Sequence, residues 1–201
     1  MKCRLIEKIK INLKLICSVF GLCLALLPLC AYSAQIEACD PQEEFCRRAT
    51  EGIQQLRSEL KTALKQALKE QGPLAAIGVC RHRAPEIAQQ LQQDCWYFGR
   101  SSRRYRNETN APNAWQRKLL RYFEDSGARQ GVHMNLSASG WVYAEPIYVQ
   151  DLCLRCHGNH IKPALKQKID RLYPQDQARG YAAGDFRGIF WAWQKPVDAA
   201  R

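Results

Sequence analysis

Phe45, Ala49, Ile53, Leu56, Leu60, Leu64 and Leu68 recur at steps of three and four, with charged and amide side chains between them. That spacing puts one apolar stripe on a long helix over 42–71, roughly 45 Å from end to end. Asp40 is placed to cap it, with Pro41 at the first helical position and Glu43 at the third, and Gly72-Pro73 stops it. A stripe of that length packs on its own domain or on a second copy of the chain. Pro73 opens a second helix with Leu74, Ile77, Ile87 and Leu91 as its apolar contacts. Pro85 predicts a kink near 81–84, because its ring lacks an N–H and crowds the carbonyl four residues back. From Cys95 the period shortens. Trp96-Tyr97-Phe98 reads as strand, a basic turn-rich stretch fills 99–113, and 114–124 reads as a helix ending near Gly127. Residues 132–136 and 141–149 read as the arms of a hairpin about Ser139-Gly140, 163–172 as a helix, and 186–193 as a last strand. Two leading helices followed by strands with a helix between them predict an α+β domain.

The first 34 residues have another texture. Lys2, Arg4, Lys8, Lys10 and Lys14 precede an uncharged run over 15–27, which Pro28 breaks, and Ala31, Ser33 and Ala34 offer a cleavage site. This is the layout of a secretory signal peptide. The alternative, an uncleaved anchor, has only 17 apolar residues interrupted by Pro28, short for a spanning helix. The expected location is therefore the periplasm. The net charge is +11, and the leader takes four of those positive charges with it, leaving +7. That balance suits an acidic partner protein or anionic surface; for an exported chain with no recognition motif, nucleic acid is not an expected partner. Six of the ten cysteines lie beyond the leader: Cys39, Cys46, Cys80, Cys95, Cys153 and Cys156. In an oxidising compartment each free thiol among them needs a reason to stay free.

Cys153-Leu154-Arg155-Cys156-His157 is a CxxCH motif. Two thiols three apart can each add to one vinyl group of a haem, and the adjacent histidine then offers a nitrogen to iron. The expected cofactor is one covalently attached haem c, with His157 as a metal ligand. Zinc would need Cys153, Cys156, His157 and a fourth ligand such as His160 within eight residues, and no second CxxC is present. A redox-active dithiol would want its CxxC at the start of a helix beside a βαβ unit, whereas this motif follows a hairpin.

Four further blocks of sequence carry a resemblance. The first is Ala76-Ile77-Gly78-Val79-Cys80 leading to Ala84-Pro85-Glu86-Ile87-Ala88. The second is Tyr105-Arg106-Asn107 with Asn110-Ala111-Pro112-Asn113-Ala114-Trp115. The third is Glu145-Pro146-Ile147 running into Leu152 and the CxxCH motif with Gly158. The fourth is Tyr173-Pro174-Gln175-Asp176, then Gly180-Tyr181, Gly184-Asp185 and Arg187-Gly188. Over about 74–195 the chain resembles the exported, PAS-like c-type haem domains, whose best-known member is cyanobacterial and which recur as sensor modules in bacterial signalling proteins. The resemblance implies a PAS-like mixed antiparallel sheet, here preceded by two long helices, and a haem with histidine and cysteine as axial ligands. The chain thus divides into a leader over 1–34, a helix over 35–72 and a haem domain over 73–201.

The second axial ligand has several candidates in the sequence: Met134, His82, His133, His160 and Cys80. Composition alone favours Met134, the one methionine beyond the leader, although methionine is more often a core residue. The resemblance points to Cys80, which a ferric iron would hold as thiolate; a disulfide to Cys95 or Cys46, or a plain buried thiol, is the alternative for it. Cys39, Cys46 and Cys95 are left over. A helix from 42 would hold Cys39 and Cys46 roughly 10 Å apart, too far for a disulfide unless its start unwinds. Arg100, Arg103, Arg104 and Arg106 form a basic cluster suited to haem propionates, with Arg103 and Arg106 taken as the cofactor-binding pair; a solvated loop is the plainer alternative. Three function classes follow. A redox or gas sensor ranks first, its output passing to an unidentified signalling or redox partner because no output segment follows Arg201. A small periplasmic electron carrier is the alternative. An enzyme ranks last, because no distal acid–base pair stands out.

Overall fold

The computed structural model describes residues 35–196; the expected leader lies outside them. Five strands form one sheet in the order β1-β3-β4-β5-β2. They are β1 (Ile36–Ala38), β2 (Trp96–Ser101), β3 (Val132–Asn135), β4 (Trp141–Tyr148) and β5 (Phe186–Gln194), and every pairing is antiparallel. The α+β expectation holds. Side-chain alternation along the strands splits the core into two layers. Trp96, Phe98, Tyr143, Phe190 and Ala192 face the long helix α1 (Glu44–Glu70), whose Ala49, Ile53, Leu56 and Leu60 complete that layer. Val132, Met134, Val142, Ala144 and Ile189 face the other way, against Leu119, Leu120 and Phe123 of α4 (Ala114–Ser126).

The stripe on α1 is thus spent within the chain over its N-terminal half, and the helix belongs to the same core as the sheet rather than standing apart from it. Gly52 permits the close approach: a Cβ there would fall 2.2 Å from the Phe98 ring. Thr50 donates to the Tyr143 hydroxyl, which donates to Glu145, and Arg57 pairs with Glu145, so one polar seam runs beside the apolar one. α4 is fixed at both ends. Asn113 and Gln116 form a reciprocal capping box, and Gly127 closes the helix at φ +64°.

Two expectations about the helices change. α1 starts at Glu44, not at Gln42, because Cys39 and Cys46 form a disulfide with Cα atoms 5.6 Å apart. Asp40 caps a turn instead, accepting from the Gln42 N–H at 2.8 Å, and the chain over 40–43 stays unwound. That unwinding is the condition under which the bridge becomes possible. The second helix is not one long rod either. It consists of α2 (Gly72–Gly78), a π-helical turn (Val79–Arg83) and α3 (Ala84–Gln90). Pro85 has no N–H to offer the Arg81 carbonyl, and its ring pushes that carbonyl away, so the turn before it widens. The interruption falls where the sequence placed it, and Cys80 sits within it.

Candidate functional site

The CxxCH motif lies on a short helix, α5 (Asp151–His157), which follows β4 after a two-residue joint. The sequence reading places no helix there, so the motif's position after a hairpin says little against a dithiol; among the described residues the sheet is wholly antiparallel, without the βαβ unit that a thioredoxin-like dithiol sits beside. Cys153 and Leu154 pack toward Val149, Ala178 and Tyr181. Cys156 packs toward Ile77, Leu165, Ile169 and Tyr173, where α2 meets α6 (Pro163–Leu172). The two thiols thus leave one turn of helix into two apolar patches, and both remain free, as does Cys80. Burial pushes the Cys156 thiol up, the Arg106 charge opposes this, and the Cys80 and Cys153 thiols add to it.

His157 is held in one orientation. Its Nδ1 lies 2.7 Å from the Ala178 carbonyl, so that nitrogen carries the hydrogen and Nε2 keeps its lone pair. Tyr181 meets the ring edge-on with centroids 6.5 Å apart. Burial, then the Arg106 and Arg187 charges, push the imidazole down to about 3, so it is neutral at any ordinary pH. A neutral imidazole with a fixed tautomer is the form that ligates a metal ion.

Arg106 braces this arrangement. Its side chain is 10% exposed and pairs with Asp176, which is 1% exposed, at 3.1 Å. It also donates to the carbonyls of Cys156 at 2.6 Å and Ala178 at 3.1 Å. Asp176 accepts in addition from the Ala178 N–H at 2.9 Å and from Arg179 Nε at 2.6 Å. Burial raises the Asp176 carboxyl, but the hydrogen bonds from Arg106 and Arg179 outweigh it and hold the group below its usual range. Arg106 therefore ties the end of α5 to the loop that orients His157. Arg103 turns outward to Glu124 of α4 at 3.1 Å. Both arginines singled out for the propionates are thus engaged by protein groups.

Arg100 and Arg187 differ. Arg100 shares the strand face of Trp96 and Phe98, the face that α3 and the π-turn cover. It makes no hydrogen bond or ion pair among the described residues; its electrostatic neighbours are the Cys80 thiol and the Tyr173 hydroxyl. Burial pushes its guanidinium down, against the pull of those two groups. It borders a cavity of about 220 Å³ that also touches Ala84, Pro85, Phe98 and Trp191. Arg187 donates to Ser102 Oγ at 2.6 Å and to the Arg104 carbonyl, and lies over the Tyr181 ring at 5.3 Å. Burial again is the main influence on it, downward, and no carboxylate among the described residues pairs with it directly.

Two of the remaining ligand candidates lie in other parts of the fold. Met134 is fully buried on the α4 side of the sheet, among Leu119, Leu120 and Phe123, which is the core role. His133 contacts Cys46 and Glu37 at the other edge. Cys80 is the candidate that the fold brings into electrostatic range of both Cys156 and Arg100. Among the described residues, the three-ligand gathering of metal-binding type is Cys39, Cys46 and His133. Tyr173, Asp176 and Tyr181 carry the site and enter the sequence reading only as parts of a family pattern; Ala178, which orients His157, falls outside that pattern. The signal of the first three lay in the Tyr-Pro-Gln-Asp and Gly-Tyr blocks, whose contacts a sequence does not reveal.

A search of curated proteins finds no match. Among solved structures, the crystal structure of the cyanobacterial haem protein Tll0287 is similar, with a TM-score of 0.59 and 25% sequence identity over 78% of this chain and 97% of that one. The family model described as Tll0287-like matches residues 36–193, which takes in β1, the π-turn, the CxxCH helix and all but the last residue of β5. The chain therefore belongs to the Tll0287-like family.

Proposed function

We propose that the chain binds one haem covalently through Cys153 and Cys156, with His157 and Cys80 as axial ligands, and acts in the periplasm as a redox or gas sensor. The observation that carries this reading is His157: a half-buried neutral imidazole whose Nδ1 is tied to Ala178, beside two free thiols at CxxC spacing. The similarity to a cyanobacterial haem protein supports it. Each thiol would add its S–H across a vinyl group, forming a C–S bond and passing the proton to the neighbouring carbon, with no change of oxidation state. Bound haem would supply an iron centre with two axial positions and a redox couple. Arg100 and Arg187 are the guanidinium groups best placed for its propionates, since both are half-buried and neither pairs with a carboxylate among the described residues.

The sensor reading rests on where Cys80 sits. A ligand on a π-turn is held by a segment whose hydrogen bonding can revert to the α pattern. Loss of the thiolate on reduction would thus have a structural outlet toward α1, which packs against the same turn. An electron carrier, the alternative, needs no such outlet. The test uses protein made with the c-type maturation machinery. Haem should stay on the chain through denaturing electrophoresis and be lost from Cys153→Ser/Cys156→Ser. Cys80→Ala should keep the haem but lose a thiolate-type ferric spectrum. A wild type without covalent haem overturns the attachment, and an unchanged Cys80→Ala spectrum overturns the sensor reading in favour of an electron carrier.

A further inference from the structure

We propose that Cys39, Cys46 and His133 form a zinc site that opens when their disulfide is reduced. The three donors come from three elements meeting at one edge of the sheet. Cys39 directly follows β1, Cys46 lies in the first turn of α1, and His133 is on β3. Their ligand atoms all lie within 4.8 Å of one another. In a tetrahedral site with Zn–S near 2.3 Å and Zn–N near 2.0 Å, a sulfur and a nitrogen ligand stand roughly 3.5 Å apart and two sulfurs roughly 3.8 Å. Cys46 Sγ is 3.7 Å from His133 Nδ1, already at that spacing. The sulfurs need only part from bonding distance. Cys39 is the half-buried member, on chain that is neither strand nor helix, so it is the one free to move.

The surroundings fit a metal as well as a disulfide. The Glu43 carboxylate stands 3.8 Å from Cys46 Sγ, in reach as a fourth ligand. The far nitrogen of His133 faces Glu37 Oε2 at 3.7 Å, across the β1–β3 register that pairs these two residues. A carboxylate near the second ring nitrogen favours the tautomer that leaves the Nδ1 lone pair free for a metal, the arrangement common around a zinc-bound histidine. His133 is 8% exposed, and Phe45 and Trp141 meet its ring edge-on or nearly so. It is a buried polar ring whose one close neighbour at Nδ1 is a cystine sulfur, a weak acceptor and no donor.

The chemistry balances with a thiol or phosphine as reductant. Two electrons and two protons convert the cystine to two thiols while the reductant is oxidised. Zinc then displaces the two thiol protons and takes the His133 lone pair. The oxidised chain has no thiolate at this place and would not hold the ion. This site is separate from the CxxCH helix, and its test does not depend on haem.

The full chain would be reduced with a phosphine, incubated with zinc alone, and alkylated with iodoacetamide; peptide mass would report each cysteine separately. Zinc should slow alkylation of Cys39 and Cys46 at least tenfold in the wild type. His133→Gln keeps the disulfide and tests the ligand without asking the fold to survive loss of a cysteine. Its oxidised form should show the wild-type circular dichroism, and zinc should no longer protect its reduced Cys39. Equal alkylation of Cys39 with and without zinc in the wild type, or undiminished protection in His133→Gln, overturns the proposal.

Discussion

Replacing Arg106 by methionine keeps most of the side-chain volume and removes the guanidinium that joins α5 to the loop bearing Ala178. Three hydrogen bonds go, to Asp176, Cys156 and Ala178. Stripping one partner from a buried ion pair costs about 3–5 kcal/mol. Arg179 stays on Asp176, and Ala178 keeps its bond from His157, so the lower end applies, about 3 kcal/mol. With a urea slope of about 2 kcal/mol per molar, the unfolding midpoint should fall by roughly 1.5 M. The measurement belongs in a Cys153→Ser/Cys156→Ser background, where no attached haem masks the loss, followed by far-ultraviolet circular dichroism. A second readout separates bracing from bulk stability. The Arg106 charge is one cause of the low His157 titration, so in Arg106→Met the imidazole should titrate above about 3, seen by NMR of the ring protons. Adding Asp176→Asn to Arg106→Met should cost less than its own single effect, because the two act as one pair. A loss under about 1 kcal/mol, far below the buried-pair range, with an unmoved imidazole would refute the bracing role.

Pro85→Ala restores the missing N–H and should let the π-turn close into α-helix; removing the one-residue excess turns Cys80 by about 100°, so the haem-loaded variant should keep covalent haem yet show the ferric spectrum of Cys80→Ala. Met134→Leu should leave that spectrum unchanged and cost under about 1.5 kcal/mol in urea, as a volume-conserving exchange in the α4 layer. Gly52→Ala should destabilise by about 1–3 kcal/mol, because its methyl meets the Phe98 ring. The pH dependence follows from His157. Its folded pKa, about 3, lies below the unfolded 6.5, so the unfolded chain binds the extra proton between them. The haem-free chain should hold this stability above pH 6.5 and lose it steadily as pH falls toward 3. His157→Phe should flatten that slope, as read from urea midpoints at successive pH values.

The parts of this fold that could be read from sequence are those dictated by local period. The α1 stripe, the strand pairing of 132–136 with 141–149, and the break ahead of Pro85 all follow from neighbours in the chain. The start of α1 was misplaced because a disulfide to Cys39 overrode a good capping pattern at Asp40. A proline gives the position of an interruption but not its form, so the π-turn was not foreseen. In the site, CxxCH announces itself by spacing alone. The sorting of four arginines does not, because residues 100, 103, 104 and 106 are equivalent as a sequence. Only the fold turns Arg103 to Glu124 and Arg106 to Asp176, and leaves Arg100 without an acid among the described residues.

The three-residue strand β1 shuts one margin of the sheet. Its partner β3 holds Val132, His133 and Met134 in the interior, and their outward N–H and C=O groups would be open to any passing chain if β1 peeled away. So short a strand has little holding power of its own. The covalent tie from Cys39 to the first turn of α1 makes its return nearly intramolecular, at the high effective concentration of a short tether. Cutting that tie would turn a guarded margin into a template, and the expected symptom is strand exchange between copies, or fibre growth, well before the rest of the domain unfolds.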